Sequence, residues 1–197
     1  MKLTKLLERL DYKVVAGSDN IEITELVNDS RKVVPGSVFV CISGAVSDGH
    51  QYVKDVAEKG AAAVIVEKDV EVPEGLTVIK VENTRYALAL MSAAYFGYPA
   101  EKLKTIGITG TKGKTTTTYM VKAILEEVGH KVGLIGTIEA IIGDKTIPSN
   151  NTTPESYTIQ KYFAQMVEAG CDCVVMEVSS QGLMLHRTAG IMFDIGI

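Results

Sequence analysis

The sequence predicts an α/β protein in two parts: a small amino-terminal α/β domain over residues 1–98, and over 99–197 the start of a larger α/β domain built on a mainly parallel sheet. Three observations carry that expectation. Short apolar runs alternate with helix-periodic stretches along most of the chain, Gly97 and Pro99 interrupt the alternation near its middle, and a glycine-rich turn at 110–113 joins an apolar run directly to a helix pattern.

Composition is compatible with a real core. Of 197 residues, 46% are hydrophobic, too many for a disordered chain. Twenty Lys and Arg against 24 Asp and Glu leave a net charge of −4. No cluster of five basic residues occurs, which disfavours nucleic acid or an anionic membrane as partner. The longest apolar stretches, 61–66 and 88–96, are less than half of the ~20 residues a membrane span needs, so no membrane insertion is expected.

The elements follow in order. Leu3, Leu6, Leu7 and Leu10 form a helix stripe over 1–13 with charges between them, not the apolar block of a secretory signal, so a cytoplasmic protein is expected. Residues 21–66 read as short and extended. Val38, Val40 and Ile42 alternate with Phe39 and Cys41 between Pro35-Gly36 and Gly44, as in a strand buried on both faces. A helix over 51–59, Gly60 and a strand over 63–66 complete a strand–helix–strand unit. A strand over 77–81 leads to Asn83, a suitable cap for a helix over 84–96, which Gly97 and Pro99 stop. The domain boundary is expected at 98–104.

Beyond it, 105–109 reads as a strand, 114–128 as a helix ending at Gly129, and 132–135 as a strand. Gly143-Asp144 between apolar pairs predicts a hairpin over 139–147. A polar loop at 149–154 precedes an amphipathic helix over 155–169 and a buried strand over 173–178. Residues 193–197 begin a further strand, so the chain reads as part of a longer protein. Cys41, Cys171 and Cys173 are odd in number and lack zinc-site spacing, which reads as reduced structural thiols.

The clearest chemistry is Gly110-Thr111-Lys112-Gly113-Lys114-Thr115-Thr116, after a strand and before a helix. Backbone N–H groups at a helix start, with the helix dipole behind them, favour a polyphosphate. Lys114 would pair with the β and γ phosphates and the Thr115 hydroxyl would hold Mg²⁺. The general pattern has a glycine where this chain has Ile108, with Gly107 one place further back, so the loop is the short variety. Glu177, near the carboxyl end of a parallel strand, points toward the ligand crevice of such a sheet and is placed to bind Mg²⁺. Asn150-Asn151-Thr152-Thr153-Pro154 and Asp29-Ser30-Arg31 are, alone, ordinary turns. His50 and His186 read as structural, and His130 sits at a helix end where a cation is favoured.

Together these segments resemble the Mur ligases: the short phosphate loop, Asn-Thr-Thr-Pro, Glu177-Val-Ser-Ser180 with Arg187 beyond it, and Asp29-Ser30-Arg31 followed by Pro35-Gly36-Ser37-Val38-Phe39-Val40. The resemblance covers essentially the whole chain and is closest to the branch that adds the third amino acid to the peptidoglycan precursor; the dipeptide-adding branch and a nucleotide-binding module without catalysis are the alternatives. It implies a central ATPase domain of P-loop type, here truncated, and an ATP-dependent ligase using Mg²⁺. Its partners would be UDP-N-acetylmuramoyl dipeptide and diaminopimelate or lysine, joined through an acyl phosphate by a monomer. Ser30 then contacts the uridine end, with 45–47 as a neighbouring loop. Asn151, Thr152, Thr153, Ser179 and Arg187 bind the muramoyl peptide. Thr109, Gly110, Thr111, Lys112, Gly113, Lys114 and Thr115 bind ATP, Thr115 and Glu177 the metal, and Lys114 and Glu177 are catalytic. Leu185 stands where many relatives carry Gln. A lysine carbamate and the amino-acid-selecting third domain would lie beyond Ile197, so these residues alone are not expected to complete a reaction.

Overall fold

The computed structural model describes residues 1–44 and 47–197. The chain divides into two compact units, Met1–Tyr95 and Phe96–Ile197. Both are α/β with mostly parallel sheets, the fold class the sequence predicts.

The first unit contains α1 (Leu3–Leu6), β1 (Lys13–Ala16), β2 (Leu26–Val27), β3 (Val38–Val40), α2 (Val53–Glu58), β4 (Ala63–Val66), β5 (Thr77–Lys80) and α3 (Thr84–Tyr95), with 3-10 turns at Ser30–Lys32 and Gly49–Tyr52. Its sheet runs β1-β5-β4-β3-β2. Strands β2 to β5 are parallel, and β1 joins β5 antiparallel. The apolar runs 38–40 and 63–66 are buried along their whole length, as strands covered on both faces must be. Phe39, Val64 and Val78 pack with Val53 and Val56 of α2. Asn83 Oδ1 accepts the Tyr86 N–H at 2.9 Å, so the cap on α3 is made as its sequence suggests.

The amino terminus departs from the expected helix over 1–13. Leu3, Leu6 and Leu7 are buried as the stripe requires, but the helix is a single turn. The chain start is held elsewhere: Met1 and Ile23 exchange backbone bonds, and Leu3 N–H donates to Ile21 O. The chain then turns into β1, whose Val14 and Val15 are 37% and 48% exposed, so this edge strand carries no apolar run to announce it.

The second unit opens with a 3-10 turn, Pro99–Lys102, followed by β6 (Lys104–Ile108), α4 (Lys114–Glu127), β7 (Val132–Ile135), β8 (Glu139–Ile142), β9 (Lys145–Pro148), α5 (Ser156–Glu168), β10 (Cys173–Glu177), α6 (Ser180–Met184) and β11 (Ile195–Gly196). Its sheet runs β11-β6-β10-β7-β8-β9. The first four strands of that order are parallel, and β8–β9 is an antiparallel hairpin on one margin. Alternation along β10 sorts the layers. Cys173 and Val175 face Val121 and Leu125 of α4, whereas Val174 and Met176 face Ile159, Phe163 and Met166 of α5. Glu177 follows the Cys173–Val175 parity, which turns it toward α4.

The sheet order positions the site. After β6 the chain crosses over β10 to reach β7, whereas after β10 it leaves in the other direction to β11. The crevice between two such departures is where open α/β sheets bind ligands. Among the described residues no helix is long and apolar enough to cross a membrane. All three cysteines are buried and unpaired.

Candidate functional site

Two loops meet at the carboxyl ends of β6 and β10. The first runs from Thr109, whose N–H donates to Ile197 O at 2.8 Å, to Gly113. Gly113 stands at the N-cap of α4 with φ of 82°, a left-handed conformation that glycine adopts without strain. No side chain caps that helix, so its first N–H groups stay available for an anion. Thr111 and Lys112 are exposed. Lys114 Nζ donates to Gly110 O at 2.8 Å, closing the loop on itself.

Glu177 ends β10 and is 1% exposed, so it is not the exposed edge glutamate that its position alone would also allow. Both its oxygens accept from the Thr115 hydroxyl, at 2.9 and 3.0 Å. Thr137 N–H donates to one oxygen at 2.8 Å and the Thr137 hydroxyl to the other at 3.1 Å. All these donors are neutral. A buried carboxylate compensated only by neutral donors is costly, and a cation placed beside it relieves that cost. Thr115 and Glu177 offer hard oxygen ligands against a phosphate loop, the donor set that suits Mg²⁺.

The 150–154 loop comes to the same place. Thr137 and Thr152 hydroxyls lie 3.0 Å apart. Thr153, by contrast, is buried with both hydroxyl roles filled: it donates to Glu177 O and accepts from Ser179 N–H, each at 2.9 Å. Ser179 caps α6 by accepting the Gly182 N–H at 3.0 Å. Arg187 donates to Thr153 O at 2.9 Å and pairs with Glu155 at 2.5 Å, while its Nε is buried without a partner. Asn151 is exposed, and with Asn150, Ser149 and Pro154 it lines a cavity of about 150 Å³. Leu185 caps the carboxyl end of α6. The structure thus gathers Thr115, Glu177, Thr152, Thr153, Ser179 and Arg187 around one crevice. Thr137 is the member that sequence reasoning missed. A Gly-Thr pair after a strand is too common to single out, and only the β7–β10 pairing brings it to Glu177.

Tyr119, on α4, donates to Glu139 at 2.7 Å. Burial, then that carboxylate, pushes its hydroxyl up to about 12, so it stays protonated.

Ser30 lies in the first unit. It begins the 3-10 turn Ser30–Lys32, its carbonyl accepts from Lys59 at 3.0 Å, and it lines a cavity of about 700 Å³ with Asn28, Arg31, Phe39, Ser47 and Tyr52. Hydrogen bonds from Arg31 hold the Asp29 carboxyl at about 2. Of the neighbouring loop expected at 45–47, Ala45 and Val46 lie outside the described residues.

The histidines have structural partners. His50 Nδ1 lies 2.6 Å from Asp48 and its Nε2 accepts the Glu67 N–H at 3.1 Å, which fixes one tautomer. His130 pairs with Asp172 at 2.6 Å, beside Cys173. Burial pushes that thiol up, away from the thiolate a metal requires.

Comparison with known proteins places these features in context. The Mur ligase middle domain matches residues 108–197, and the Mur ligase family, catalytic domain, matches residues 22–96. UDP-N-acetylmuramoyl-L-alanyl-D-glutamate--2,6-diaminopimelate ligase of Clostridium perfringens is 49% identical over 197 residues, spanning all of this chain and 41% of that relative. A ligase of the same name from Clostridium acetobutylicum is 50% identical over the same share of each. The chain therefore spans about two-fifths of the length of these relatives. A solved structure of a UDP-N-acetylmuramoyl-L-alanyl-D-glutamate--2,6-diaminopimelate ligase superposes with a TM-score of 0.80 at 22% identity, over 100% of this chain and 39% of that one. It shares the fold.

Proposed function

The chain belongs to the Mur ligase family, and on that premise we propose that it supplies the nucleotide-sugar and ATP sites of an ATP-dependent ligase that adds a third amino acid to UDP-N-acetylmuramoyl-L-alanyl-D-glutamate. Diaminopimelate, named for the relatives, is the amino acid we take as acceptor. One observation carries the reading: the buried Glu177 carboxylate set against Thr115 at the end of a short phosphate loop.

In this reading the free carboxylate of the glutamyl residue attacks the γ phosphorus of ATP, ADP leaves, and an acyl phosphate forms. The amine of the incoming amino acid then displaces phosphate to give the amide. Backbone N–H groups at 110–113 and the α4 dipole cradle the polyphosphate, and Lys114 exchanges its Gly110 contact for the β and γ oxygens. Mg²⁺, held by Thr115 and Glu177, would neutralise charge on the transferred oxygens. Thr152 presents its hydroxyl to the muramoyl peptide beside the metal position, while Thr153, Ser179 and Arg187 brace the loop that carries it. Ser30 and its cavity take the uridine end, in a domain over 1–98 distinct from the ATP domain. We take the protein to act in the cytoplasm and as a monomer.

The test is calorimetry on the 197-residue chain with ADP plus magnesium and, separately, with uridine diphosphate. Lys114→Ala should weaken ADP binding by about 2–3 kcal/mol, roughly 30-fold to 150-fold, because a charged hydrogen bond is lost. Uridine diphosphate binding should not change. Ser30→Trp should show the reverse pattern. Equal loss of both ligands in either variant would sink the assignment of the two sites.

A further inference from the structure

We propose that Thr137 is a positioning residue: it holds the Glu177 carboxylate aimed at the phosphate loop before any cation arrives, and ties it to the 150–154 loop. This rests on the reading of Glu177 as cation ligand given above. The geometry is a cradle. Thr137 contributes two of the donors on Glu177, its N–H at 2.8 Å and its hydroxyl at 3.1 Å, one to each oxygen. The residue before it must be small, since a Cβ on Gly136 would lie 2.6 Å from Oε1 of Glu177. The turn 136–137 therefore lies against the carboxylate from one side while Thr115 meets it from the other.

Thr137 is exposed, it follows β7 rather than belonging to it, and among the described residues it is not a member of the core clusters. Among the described residues, its side-chain bonds go to Glu177 and Thr152. The result is a continuous hydrogen-bonded line, Thr115–Glu177–Thr137–Thr152, that runs from the ATP loop to the loop we assign to the muramoyl peptide. A cation binding between Thr115 and Glu177 takes over the Thr115 contact and leaves the two Thr137 donors in place. They keep the carboxylate from rotating, so its lone pairs stay directed at the metal, as outer partners of metal ligands commonly do.

The experiment titrates the wild-type chain, Thr137→Val and Thr137→Ser with ADP, with and without excess magnesium chloride. Valine keeps the shape and the N–H but removes the hydroxyl, and serine restores the hydroxyl. The expected result is a magnesium-dependent gain in ADP affinity that falls about tenfold in the valine variant and returns to within about twofold of wild type with serine. Far-ultraviolet circular dichroism and the thermal midpoint report the fold of each variant, and Thr137→Ala repeats the test should valine prevent folding. A wild-type chain whose ADP affinity ignores magnesium overturns the cation reading, and this inference with it. A magnesium-dependent wild type whose gain survives in both the valine and alanine variants overturns this inference alone.

Discussion

Two glutamates occupy equivalent places in the two units. Glu67 directly follows β4, Glu177 ends β10, and both meet a threonine hydroxyl and a backbone N–H. Their donors differ in origin. Glu67 accepts from the N–H and hydroxyl of Thr84, the first residue of α3, and from Ser43, so it fastens a helix start and a loop to the sheet. Glu177 takes a hydroxyl but no backbone N–H from the first turn of α4, through Thr115, and its other donors come from Thr137, whose hydroxyl also meets Thr152. The same residue at the same strand end is a structural clamp in one case and a candidate ligand in the other. What separates them is whether the donors need the carboxylate for their own satisfaction.

Exchanging each carboxylate for an amide tests that difference. The largest effect is expected at the second unit. Glu177→Gln should remove roughly tenfold to a hundredfold of the magnesium-dependent gain in ADP affinity measured by calorimetry. An unchanged gain would make Glu177 a clamp like Glu67 and erase the contrast.

Next in size, Glu67→Gln should leave both nucleotide titrations alone and destabilise the first unit by about 1–2 kcal/mol at pH 7 in urea denaturation. Burial pushes the Glu67 carboxyl up, but hydrogen bonds from Thr84 and Ser43, with His50 nearby, outweigh it and leave the carboxyl below its ordinary 4.5. A lowered carboxyl stabilises the fold above its unfolded value and loses that contribution as pH falls. The gap between wild type and variant should therefore shrink as pH drops below about 4.5. A gap that widens there would show that the hydrogen bonds do not favour the ionised form.

The smallest effect sharpens the clamp itself. Asn83→Ala should cost about 1 kcal/mol by loss of the bond to Tyr86 N–H. Glu67 and Asn83 serve the same helix start, so the double variant with Glu67→Gln should lose less than the sum of the two. Strict additivity would separate the carboxylate from the capping of α3.

Much of this arrangement is legible in the sequence. The runs 63–66 and 132–135 coincide with their strands, and Gly143-Asp144 sits in the hairpin turn, because fully buried strands and tight turns each have a local residue requirement. Gly110, Gly113, Lys114 and Thr115 are equally visible, since a phosphate loop needs its residue types in consecutive order. What escapes has no local requirement. The edge strand β1 exposes its valines, the short α6 has no long apolar period, and Thr137 gains its meaning only from Glu177, 40 positions away.

The contact between Lys114 and Gly110 bears on which ligands the loop accepts. Its ammonium already has a carbonyl partner, so an arriving anion does not meet a bare charge but competes with an internal acceptor at 2.8 Å. Binding is then an exchange. A chloride or a single carboxylate gives back little more than it displaces, whereas a di- or triphosphate engages the lysine and several backbone N–H groups at once. The loop discriminates by valence: it responds to anions with many oxygens and ignores the monovalent ions that crowd any cell.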